Sequence, residues 1–74
     1  MNADFEKKVG KKIRTLREKQ KMTQEQLSAK LQIYGCDITR SALAKIEVGQ
    51  RHIYIDEIKL IIEILHTDFN TLVS

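Results

Sequence analysis

Between Thr39 and Gly49 the chain reads TRSALAKIEVG, and several of its side chains share one direction if the segment is helical. At about 100° per residue, Leu43, Ala42 and Ile46 form an inner side with Glu47 at its margin, while Arg40, Ser41, Ala44, Lys45 and Val48 point away. Short side chains edged by cations let a helix come close to a base pair. Arg and Lys donate to guanine O6 and N7, Ser bonds to either kind of base edge, and an Ala or Thr methyl touches a thymine methyl. The competing reading is an ordinary solvated face, since short amphipathic helices with two cations are common.

Other chemistry finds little support. Cys36, Asp37, His52 and His66 are the candidates for a metal site or a nucleophile, and no C-x-x-C, H-x-x-x-H or H-E-x-x-H spacing joins them. Asp56 with Glu57, and Glu63 with Asp68, suit helix N-terminal caps and a wet surface better than paired acid–base work. The sequence has no glycine-rich phosphate loop. The expectation is a protein that is not an enzyme, with no cofactor, no metal and no small-molecule substrate.

The elements that must position the Arg40–Lys45 face follow from composition and pattern. Seventy-four residues read as one domain, 1–74, without room for a separate catalytic or ligand-sensing domain. A chain this short buries only about 60% of the surface its unfolded form exposes. No proline, three glycines and abundant Lys, Glu, Gln, Leu and Ile favour an all-α fold. The single Cys36 cannot form an intramolecular disulfide, no apolar run approaches the roughly 20 residues of a membrane span, and MNADFEKKVGKK lacks the apolar segment of a signal peptide. These point to a cytoplasmic protein with no membrane partner. Residues 1–51 carry twelve Lys/Arg against six Asp/Glu, and residues 52–74 one against four. A basic front joined to an acidic, Ile-rich tail suggests one surface for a polyanion and another for packing or self-association, with a solvated helical surface as the alternative.

Five helices are predicted. The first, from about Phe5 to Gln20, aligns Phe5, Val9, Ile13 and Leu16, with Gly10 a slight weakness. The second starts at the T-x-x-Q capping box Thr23–Gln26, flanked by a Met22/Leu27 staple, and runs to Ile33 or Tyr34 before Gly35. The third repeats the device with Thr39 as cap and Ile38/Leu43 as staple, ending at Gly49. The fourth, from about Asp56 to Leu65, turns Ile58, Ile61, Ile62 and Leu65 inward and leaves Leu60 and Ile64 on a second apolar side that needs a cover. A short fifth helix capped by Asp68 would bury Phe69 and Leu72. Gln24 sits where the second helix offers free N–H groups and a positive dipole to a phosphate; Thr23 and Thr39 are placed to add contacts, and Gln50, Arg51 and His52 lie in a loop that could reach another phosphate.

The runs VGKKIRTLREKQKMTQEQLSAKL, ITRSALAKIEVGQRHI and IDEIKLIIEILHTDFNTL resemble the phage-repressor helix-turn-helix family of Cro/C1 type, also called XRE, over about residues 9–72. The resemblance implies a compact five-helix, lambda-repressor-like domain with a helix-turn-helix at about residues 23–49, the second motif helix in the major groove, and a homodimer. It implies contacts to double-stranded DNA at Gln24, Arg40, Ser41 and Lys45, and an internal salt bridge between Arg17 and Glu47. The residues allow that pair independently, because a carboxylate at the inner margin is costly unless paired, although each could equally point to water. The function expected is transcriptional repression in a bacterial or phage setting, through a pseudo-palindromic operator. The alternative is an antitoxin or adaptor that binds protein through its acidic C-terminal helices. Leu60, Ile64, Phe69, Leu72 and Val73 are the candidates for the dimer surface. The sequence departs from the family at QIYGCDI, where the turn is longer by about five residues, and at Ser28, where the family prefers alanine. The simplest expectation is a second helix extended by one turn, with Tyr34 either packed beneath it or touching a phosphate or a partner.

Overall fold

Thr23 and Thr39 start the two central helices by the same device. In the computed structural model, which describes residues 3–74, the Thr23 hydroxyl accepts the Gln26 N–H at 3.0 Å while Gln26 Oε1 accepts the Thr23 N–H at 2.8 Å. The Thr39 hydroxyl accepts the Ala42 N–H at 3.1 Å. The described residues form α1 (Ala3–Lys19), α2 (Gln24–Ile33), α3 (Arg40–Glu47), α4 (Ile55–Ile64) and α5 (Phe69–Val73), with no strand among them. Met1 and Asn2, which the 1–74 span includes, lie outside the described residues. None of these helices is long and apolar enough to cross a membrane.

Every helix contributes to one apolar cluster: Val9 and Ile13 from α1, Leu27 and Leu31 from α2, Leu43 and Ile46 from α3, Ile58 and Ile61 from α4, and Leu72 from α5. Ile38, Ile53 and Leu65 complete it from the connections. Burying each such side chain contributes about 1.5–3 kcal/mol before the entropy of ordering. Within this core α1 packs on α3 and α5, and α2 on α3 and α4. The second apolar side of α4 is thereby partly covered: Leu60 and Ile64 are half-buried. Ile62, expected inside, is also only half-buried.

Gly10 has a larger role than a weak point in a helix. A Cβ there would overlap the Ile46 carbonyl oxygen and lie 3.0 Å from that of Glu47, so its absence lets the end of α3 rest on the α1 backbone. Gly49, at φ +77°, is doubly required, because a Cβ would also stand 2.8 Å from the Lys7 Cα.

The segment from Gln32 to Ile38 goes out and is pinned on its return. α2 ends at Ile33, Tyr34 caps it, and Gly35 turns at φ +81°. The Cys36 N–H then donates to the Leu31 carbonyl at 3.0 Å. The Ser28 hydroxyl donates to the Ile38 carbonyl at 2.7 Å, and the Gln32 amide donates to Ser28 Oγ at 3.2 Å. Ser28 is therefore more than a tolerated replacement for alanine: its hydroxyl fastens the longer turn. The outer end of that turn leaves Ile33 80% and Tyr34 68% exposed, so Tyr34 does not pack beneath it.

Candidate nucleic-acid interface

Leu43 and Ile46 are closed to solvent and hold the inner side of α3. Glu47, at its last turn, is also buried, and its carboxylate is met from two other helices. Arg17 donates from Nε to Glu47 Oε2 at 2.8 Å and from Nη2 to Oε1 at 3.0 Å, with the two side chains 8% and 1% exposed. Arg17 Nη1 also donates to the Met22 carbonyl at 2.8 Å, just before the α2 cap. Gln24 Nε2 adds a third bond to Glu47, at 3.0 Å to Oε1. The bonds to Glu47 hold the Arg17 pKa above its usual value against the opposing effect of burial. One ionised centre thus fixes the start of α2 and the end of α3 relative to α1.

The opposite side of α3 is open. Arg40, Ser41 and Lys45 are exposed, Ala44 is half-buried between them, and Val48 at the C-terminal cap is exposed. A polar cleft lined by Arg14, Arg17, Thr23, Gln24, Glu25 and Arg40 joins the N-terminus of α2 to that of α3. It brings Thr23, Gln24 and Arg40 together, and Ser41, Ala44 and Lys45 continue the face along α3. Capping uses the Thr23 and Thr39 oxygens as acceptors, which leaves each hydroxyl proton available to donate. Gln24 likewise spends one of its two amide hydrogens on Glu47.

The loop after α3 is arranged differently from expectation. Gln50 has an exposed side chain, and its N–H closes α3 on the Lys45 carbonyl at 2.8 Å. Arg51, expected to meet a phosphate, is instead turned inward: it donates to both Glu57 oxygens, at 3.0 and 3.2 Å, and to the His52 carbonyl at 2.8 Å. Its charge is neutralised by the first turn of α4. Burial resists the ionisation of Glu57, but the bonds from Arg51 and from the Tyr54 N–H outweigh it and hold its pKa below the usual carboxylate range. His52 is tied back to α1, with Nδ1 2.8 Å from Glu6 Oε2.

The five apolar residues expected to form one association surface are split among three places. Leu72 is fully buried, because α5 docks on α1 and uses it as a core residue, and is withdrawn as a surface residue. Leu60 and Ile64 lie half-buried on the flank of α4 against α2. Phe69 is exposed across α4, beside an apolar cleft with Ile55, Ile58 and Ile62, and Val73 is half-buried.

Sequence reasoning missed the Gln24–Glu47, His52–Glu6 and Arg51–Glu57 contacts. One signal existed: Glu6 falls within the apolar stripe of Val9 and Ile13, where an acid needs a partner. No group of three or more His, Cys, Asp or Glu among the described residues could hold a metal ion. The sequence pattern of the helix-turn-helix family matches residues 13–72, a stretch that includes Arg17, both capped central helices and Glu47. No curated protein and no solved structure matches the chain.

Proposed function

The chain belongs to the Cro/C1-type helix-turn-helix family of DNA-binding transcription regulators, and we propose that it represses by occupying a pseudo-palindromic operator as a homodimer. The observation that carries this is the contrast between the two sides of α3. One side is held by Leu43, Ile46 and Glu47, and the other presents exposed Arg40, Ser41 and Lys45 next to the N-terminus of α2. In the complex α3 lies in the major groove, Arg40 and Lys45 donate to guanine, Ser41 bonds to a base edge, and Ala44 packs on a thymine methyl. Thr23, Gln24, Thr39 and Gln50 donate to phosphates and set the register.

For the dimer, Ile55 and Phe69 offer an apolar surface: 74% and 46% of each is open to solvent beside the cleft they line with Ile58 and Ile62. A protomer 29 Å in its longest dimension suits two recognition helices about 34 Å apart on one face of a duplex.

The test is base preference in quantitative binding to DNA. Arg40→Ala and Lys45→Ala should each relax selectivity at one position of the half-site by about 1–3 kcal/mol. If both leave regulation in cells unchanged while Ile55→Glu or Phe69→Glu abolishes it, the chain acts as a protein-interaction module and the DNA-reading role is wrong.

A further inference from the structure

Glu6 occupies a position that an apolar residue would fill at lower cost. It falls in the stripe of α1 that buries Val9 and Ile13, and its side chain is only 6% exposed. Both of its oxygens meet the same atom: His52 Nδ1 lies 3.0 Å from Oε1 and 2.8 Å from Oε2. The His52 side chain is nonetheless 70% exposed. Among the described residues its bonds to other side chains run through Nδ1 alone, which leaves Nε2, on another edge of the ring, open to an outside partner.

The carboxylate decides where the ring keeps its proton. A carboxylate oxygen only accepts, so a neutral His52 carries its hydrogen on Nδ1 and turns a bare lone pair outward at Nε2. That lone pair repels a phosphate oxygen. A protonated His52 keeps its bond to Glu6 and gains an Nε2–H that donates outward. The ring also stands in a suitable place. It belongs to the loop that follows α3, two residues beyond Gln50, and Lys7, next to Glu6 on α1, has its backbone against Gly49 at the start of that loop.

We propose that His52 Nε2 donates to a DNA backbone phosphate only as the imidazolium, with Glu6 as the positioning residue that imposes this condition, so that each protomer takes up a proton when it binds DNA. The proposal rests on the DNA-binding reading and adds a proton to it. The charged groups around the ring are Glu6 and Lys7 on α1, Arg51 beside it, and Glu57 on α4. Arg51 reaches the His52 carbonyl at 2.8 Å but is neutralised by Glu57. Lys7 opposes a second positive charge, while Glu6 on one edge of the ring and the phosphate on the other favour it. The imidazolium of the complex is thus held between two anions, one of which arrives with the duplex. Histidine is the side chain that changes charge between about pH 5 and 8. In that window the bound state holds more protons than the free one, and affinity rises as pH falls.

Fluorescence anisotropy with mixed-sequence duplex DNA at low, constant ionic strength tests this, because phosphate contacts supply affinity independent of sequence. Wild type should bind about 10- to 100-fold more tightly near pH 6 than near pH 8. His52→Gln should lose that gain, and His52→Lys, a donor throughout the range, should bind tightly at both ends. In Glu6→Gln the amide can donate to Nδ1 as readily as accept from it, so a neutral ring can present an Nε2–H. Its pH profile should flatten through a rise in affinity near pH 8. His66→Gln should keep the wild-type response. Long-range proton–nitrogen NMR of the free protein near pH 8 should find the His52 hydrogen on Nδ1, and circular dichroism checks that each variant folds. Wild-type binding that ignores pH, a gain that survives His52→Gln, an unchanged profile in Glu6→Gln, or a neutral ring protonated on Nε2 overturns the proposal and leaves the DNA-binding reading standing. Binding to no DNA at any pH overturns both.

Discussion

Arg17 and Glu47 meet through two nearly parallel hydrogen bonds, 2.8 and 3.0 Å long, with the carboxylate side chain 1% exposed. Thirty residues apart in the chain, they connect α1 to the end of the recognition helix, and Gln24 brings the start of α2 to the same carboxylate. A charge so deep is tolerated because its partners are fixed.

Removing one member should therefore cost far more than removing both. Glu47→Ala or Arg17→Ala should lower unfolding free energy by about 3–5 kcal/mol, since each leaves a buried charge unpaired, whereas Arg17→Met with Glu47→Leu should recover much of the loss. Urea denaturation monitored by circular dichroism provides the comparison. Single variants that lose less than the double one would contradict a structural role for the pair.

Gly10→Ala separates two opposed effects. Helix propensity alone would stabilise the variant by about 1 kcal/mol. Overlap of the new Cβ with the Ile46 carbonyl oxygen predicts instead a net loss of about 1–3 kcal/mol as α1 and α3 are pushed apart. The sign of the change in thermal midpoint is the readout, and a stabilised variant would show that the two backbones are not in contact.

Acid should weaken the fold through two carboxylates. Glu57 sits below its ordinary 4.5 because the bonds from Arg51 and the Tyr54 N–H outweigh the effect of burial, and Asp68 below its ordinary 3.8 because of the Thr71 N–H. Groups with depressed folded pKa values take up protons more readily in the unfolded chain. Their contribution is present above those ordinary values and is lost as pH falls through the folded ones. Urea midpoints should hold near neutral pH and drop below about pH 4.5. In Glu57→Gln the drop should be shallower and stability at neutral pH lower. An acid limb of unchanged steepness would remove Glu57 from this account.

Salt should reveal which groups meet phosphate. The logarithm of affinity should fall linearly with the logarithm of salt, by about 0.9 for each phosphate neutralised. Arg14 lines the cleft beside Gln24 and is held only by a long, exposed 3.5 Å pair with Glu18, so it can turn to a phosphate and Arg14→Ala should reduce that slope by about 1, whereas Arg51→Ala should leave it unchanged because the closer and less exposed Glu57 already neutralises that cation. Fluorescence anisotropy across a salt series measures both, and a loss of slope in Arg51→Ala would place that guanidinium on the DNA.

The helices were legible because their signals are local. Thr23 with Gln26, Thr39 before Leu43, and Gly35 and Gly49 in left-handed conformations act through residues a few positions apart. The outward face of α3 was legible for the same reason, since Leu43 and Ile46 orient the rest. What escaped depended on tertiary placement. Arg51 looks like a free cation until the start of α4 brings Glu57 to it, Phe69 looks as buried as Leu72 until α5 docks on α1 with only Leu72 inward, and Gly10 looks like a flaw until α3 rests on it. Ser28 holding Ile38 belongs to this group, because no spacing rule foretells which hydroxyl will fasten an unusually long turn.

Selection of bound sequences from random duplex DNA tests the central claim most directly. An operator-binding homodimer predicts an enriched motif with two inverted half-sites about 10 bp apart between centres, and Arg40→Ala should erase preference at one matched position in each half. Failure to enrich any sequence, or a motif unchanged in both Arg40→Ala and Lys45→Ala, would contradict the assignment of α3 as the element that reads DNA.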